Sequence, residues 1–128
     1  MKVLKKALLS LLIAASAVAI STPVFAETDK GRISYAPAEA IDLVVDKVKI
    51  AMDAINSGSE GEAVSNLIKD AMDASKEINA NDKVDIARSR ANNLLKTARA
   101  HAKENALQEA EQELKNAQKK FSELKSLL

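Results

Sequence analysis

The chain has 128 residues, with 19 Lys and Arg against 18 Asp and Glu, one His, no Cys and no Trp. Without cysteine, disulfides and thiolate–metal sites are excluded, and packing must hold the fold. A balance this close to neutral lacks the electrostatic footprint of a nucleic-acid binder.

Lys2, Lys5 and Lys6 precede an apolar run over residues 7–20, and "STPVFA" ends with small residues at Val24 and Ala26. This is the layout of a secretory signal peptide over residues 1–26, cleaved after Ala26. The run is shorter than the roughly 20 apolar residues that span a bilayer. No Cys at the cleavage point means no acceptor for a lipid. The expected product is therefore soluble and periplasmic, with no membrane attachment after cleavage. Its residues carry 16 bases and 18 acids, a balance of −2 that also lacks the basic face of a membrane-surface helix.

Residues 27–36, "ETDKGRISYA", are polar and aperiodic and read as a flexible arm, with Tyr35 against the bundle. Residues 37–128 form the expected domain. Pro37 opens a first helix to about residue 55, with Ile41, Val44, Val48, Ala51 and Ile55 spaced three and four apart. "NSGSEG" breaks it, and Ser59 with Glu62 has the spacing of a capping box for a second helix. The stripe of that helix is Val64, Leu67, Ala71, Ala74 and Ile78. In "NAND", Asn81 or Asp82 caps a third helix with the stripe Val84, Ala87, Ala91, Leu94 and Ala98. A fourth carries Leu107, Ala110, Leu114, Ala117, Phe121, Leu124 and Leu128.

"ARAHAKENAL" holds neither Gly nor Pro, so the third and fourth helices could run together from residue 83 to 128. A shift of 43 residues argues for a turn instead. It lays Ile41 on Val84, Val48 on Ala91, Ala71 on Leu114 and Ile78 on Phe121. The reading is an all-α, up-down-up-down four-helix bundle built from two duplicated hairpins.

"AMDA" occurs at Ala51 and again at Ala71. The copies sit roughly 9 Å apart in height at 1.5 Å per helical residue, so Met52 and Met72 cannot share an ion. They read as packing residues, and Asp53 and Asp73 as surface charge. His101, with Glu104 three residues on, offers two ligands where a firm site needs three or four. At a helix C-terminus an imidazole also simply suits the dipole. Haem would need a roomier pocket than this Ala-rich interior. No nucleophile–base pair, phosphate loop or E-x-x-H motif is present, and the chain reads as non-enzymatic.

The alanine and leucine pattern of "AMDAINSGSEGEAVSNLIKDAMDASKE" and "TARAHAKENALQEAEQELKNAQKK" resembles the bacterial small metal-binding protein family over residues 41–120. That resemblance implies an exported four-helix bundle of Ala-rich hairpins whose histidines bind divalent metals, copper especially. Here the places before Ala71, Ala74, Ala110 and Ala117 hold Asp70, Asp73, Glu109 and Asn116. Only His101, in the second turn, keeps the family's ligand type. The implied metal residues are His101, Glu104, Asp70, Asp73 and Glu109, chelating copper, nickel or zinc weakly. The competing expectation is an interaction or chaperone-like module for an envelope protein, a monomer or weak homo-oligomer. A third reading, a bundle that simply oligomerises, rests on Leu124, Leu127 and Leu128, which seal the bundle end or form a sticky patch.

Overall fold

Pro37 occupies the first position of helix α1 (Pro37–Asn56), where its missing N–H breaks no helical bond. Glu39 reaches back to accept from the Ala36 N–H at 3.4 Å, half of a capping box whose other half Ala36 cannot supply. Three more helices follow in the computed structural model, which describes residues 35–128: α2 (Gly61–Ser75), α3 (Asp82–Lys103) and α4 (Leu107–Glu123). A 3-10 turn, Leu124–Leu127, ends the chain. The signal peptide expected over residues 1–26, and residues 27–34 of the arm, lie outside the described residues. Tyr35 is 37% exposed rather than tucked in, because Ala36 stays extended ahead of Pro37.

The helices form a ring in which α1 packs on α2 and α4, and α3 packs on α2 and α4. This is the expected up-down-up-down bundle. Both hairpin turns lie at one end. The 76–81 connection and the C-terminal turn lie at the other.

The two hairpin turns share one device. After α1, the Gly58 N–H donates to the Ile55 carbonyl (3.1 Å) and the Ser59 N–H to the Ala54 carbonyl (3.0 Å). After α3, the Asn105 N–H donates to Ala102 (2.9 Å) and the Ala106 N–H to His101 (2.8 Å). Each is a Schellman closure, with Gly58 (φ 86°) and Asn105 (φ 61°) at the left-handed position. Asn105 thus stops α3 and decides against a continuous helix.

These caps also revise the internal register. Asn105 lies 47 residues after Gly58, not 43, so α3 runs one helical turn further than the stripes implied. In the second helix of each hairpin and the segment just after it, the buried pairs are Val64/Ala110, Ile68/Leu114, Ala71/Ala117, Ser75/Phe121 and Ile78/Leu124, each 46 residues apart. The expected capping box at Ser59 does not form. Ser59 is spent closing α1, and Glu60 takes the N-cap place without a side-chain bond.

Among the described residues twenty apolar ones form the core, nine of them alanine, with Phe121 the bulkiest. Alanine at the contacts lets the helices approach closely. Six stripe positions differ from the sequence reading: Ile55, Leu67, Ala87, Leu94 and Leu107 are only partly buried, and Leu128 is exposed. Ile68 and Leu95, the neighbours of Leu67 and Leu94, are fully buried. Met52 and Met72 pack against the core from its edge, as expected. At the closed end, Ile78 and Leu124 are 1% exposed and act as plugs, while Leu128 stands 51% exposed.

Candidate functional site

The expected metal residues are spread over three helices and a turn. Asp70 and Asp73 lie on α2, His101 in the last turn of α3, Glu104 at its C-cap and Glu109 in the first turn of α4. His101 is therefore helical and half-buried rather than in the loop, because α3 extends to Lys103. Its Nδ1 is enclosed with no hydrogen-bond partner, and no hydrogen bond or ion pair joins it to Glu104. Asp73 is already engaged. Lys69 donates to it at 2.9 Å and Lys76 stands 3.7 Å away, so the carboxyl is held below its usual pKa, chiefly by the Lys69 hydrogen bond. Among the described residues no three His, Asp or Glu side chains converge as ligands.

A different constellation is built between α2 and α3. Two buried serines of α2 face α3 across the interface. The Ser75 hydroxyl donates to the Met72 carbonyl (2.7 Å) and lies 3.1 Å from the Asn92 side-chain amide. One helical stretch away, Ser65, 2% exposed, accepts from Arg99 Nε at 3.3 Å. That bond fixes the root of the guanidinium and leaves its two terminal nitrogens for other partners.

Along α3 itself the charge beside Arg99 is of one sign, while Lys103 also lines a hairpin-end cleft with Glu60 and Glu62. Lys96, Arg99 and Lys103 follow at intervals of three and four, on one side of α3. With Met72 and Ala100 they line a shallow cleft of about 260 Å3. From residue 86 to 103, α3 carries Arg88, Arg90, Lys96, Arg99 and Lys103 and no carboxylate. Among the described residues only Arg88 of these five has an ion pair, with Asp85 at 3.9 Å. Residues 37–75 are the counterpart, with eight carboxylates against three lysines. A bundle near neutrality is thus strongly polarised between its first hairpin and α3.

A second cleft, of about 480 Å3, opens between α3 and the C-terminal turn. Its walls are Ala87 and Leu94 from α3 and Leu124 and Leu127 from the turn, with Arg90 and Lys120 at the rim. Asn81 both caps α3, accepting from the Val84 N–H (2.9 Å), and donates to the Leu127 carbonyl (3.2 Å).

Ser65, Ser75 and Asn92 carry no signal in the sequence, because polar residues interrupt an apolar stripe. The cation run on α3 was visible but averaged away in the whole-chain balance. Block-wise charge would have found it. No known protein family, no curated protein and no solved structure matches this chain.

Proposed function

We propose that the chain is an exported, non-enzymatic interaction module of the cell envelope that engages an acidic partner protein along the α2–α3 groove. The observation that carries this reading is the set Lys96, Arg99 and Lys103, unpaired among the described residues, with Arg99 anchored on buried Ser65. Cations held on a rigid helix and not neutralised within the molecule steer an acidic partner and fix its register. Export rests on the sequence pattern of residues 1–26.

Divalent-metal binding, which the family resemblance implies, has less behind it. Asp73 is occupied by two lysines, and Asp70 and Glu109 stand on different helices. The test of the main reading is cross-linking in envelope extracts, with a photo-reactive residue in place of Ala100. The expected result is one cross-linked acidic protein that disappears in the Lys96→Glu/Lys103→Glu variant. Cross-links that persist in that variant, or none in the wild type, would overturn the proposal.

A further inference from the structure

We infer that the cleft between α3 and the C-terminal turn binds a small amphiphilic carboxylate, of the chemical class of a medium-chain fatty acid. The inference is independent of the α2–α3 groove. Ala87, Leu94, Leu124 and Leu127 supply apolar walls, and the volume of about 480 Å3 falls within the range of small-molecule sites. An apolar tail laid here removes leucine surface from water.

The rim selects the headgroup. Lys120 stands 3.8 Å from Glu123, so that pair is already neutral. Arg90 has no ion pair among the described residues, and its guanidinium fork matches a carboxylate in two parallel hydrogen bonds. One uncompensated positive charge fits a monoanion. A polyanion would meet Glu123, and a neutral amphiphile would leave Arg90 unused.

The cleft is also pre-formed, which lowers the cost of binding. Its outer wall, the turn holding Leu127, is fixed from two sides. Asn81 donates to the Leu127 carbonyl at 3.2 Å, and Lys125 pairs with Asp42 of α1 at 2.6 Å.

The test is titration of the purified, isotopically labelled protein with sodium decanoate below its micelle concentration, followed by amide NMR. The expected result is saturable shifts centred on Ala87, Leu94, Leu124 and Leu127. Decanol in place of decanoate, or Arg90→Gln with decanoate, should bind at least roughly tenfold more weakly, the loss of one charge-assisted pair. Arg90 is exposed, so the variant should fold, and circular dichroism checks that it does. Equal affinity for decanol, undiminished binding by Arg90→Gln, or shifts scattered over the surface would each overturn the inference.

Discussion

Arg99 Nε donates a 3.3 Å hydrogen bond to the hydroxyl of Ser65, a serine 2% exposed in the α2–α3 interface toward its hairpin-turn end. The bond ties a surface cation to the interior and would couple packing to the proposed recognition. Ser65→Ala removes the acceptor and leaves Arg99 free to sample rotamers. The expected outcome is a stability loss of about 1 kcal/mol in urea unfolding, the net worth of one such bond. Affinity for an acidic partner should fall with it, although no charge has changed.

The hairpin end sets a ranking among three substitutions. A methyl group built at Gly61 overlaps the Ala102 carbonyl and sits 2.9 Å from Asn105 Oδ1, so Gly61→Ala must push α2 away from α3. It should cost about 1–3 kcal/mol, as overpacking does. Gly58→Ala meets no atom within 4 Å but keeps φ at 86°, and should cost about 1 kcal/mol from backbone strain alone. Asn105→Gly should be tolerated or stabilising, because glycine adopts φ 61° freely. Urea midpoints of the three variants check the order.

Asn81 holds two bonds that one substitution can separate. Asn81→Ala loses the cap on Val84 and should cost about 1 kcal/mol of stability. Asn81→Asp keeps that cap but places a carboxylate against the Leu127 carbonyl in place of a donor. Stability should then change little while the C-terminal turn loosens. Faster hydrogen exchange at the Leu128 amide, which donates to the Lys125 carbonyl at 3.3 Å, would report it.

Asp73 titrates below the usual carboxylate range, first because Lys69 donates to it and then through the charges of Lys69 and Lys76. A carboxyl depressed in the folded state stabilises it above the unfolded pKa, and that contribution fades as pH falls through the folded value. The side chain is about half exposed, so the effect is that of a surface pair, about 0.3–0.5 kcal/mol. NMR titration should find the Asp73 carboxyl returning toward its ordinary value in Lys69→Ala.

Much of the bundle was legible in the residues. Pro37 and Asn81 mark helix starts for stated chemical reasons, and Ile41, Val44, Val48 and Ala51 are the stripe that α1 buries. The register was less legible. A three–four stripe cannot tell Leu67 from Ile68, or Leu94 from Leu95, where apolar residues stand side by side, and packing chose the second of each. The turn at Asn105 was hidden because asparagine, not glycine, fills the left-handed place. The proposed recognition surface was hidden for another reason. Ser65 is buried with its hydroxyl accepting from Arg99, and that pairing is visible only once α2 and α3 are side by side.

The central claim is that the cations beside Ser65, rather than net charge, recognise an acidic partner. Fluorescence anisotropy of labelled octaglutamate at low ionic strength tests it with two variants of equal net charge. One is Lys96→Gln/Arg99→Gln/Lys103→Gln and the other Lys47→Gln/Lys49→Gln/Lys119→Gln. The account predicts salt-sensitive binding that the first variant loses by at least roughly tenfold and the second retains. Equal loss in both variants would contradict it.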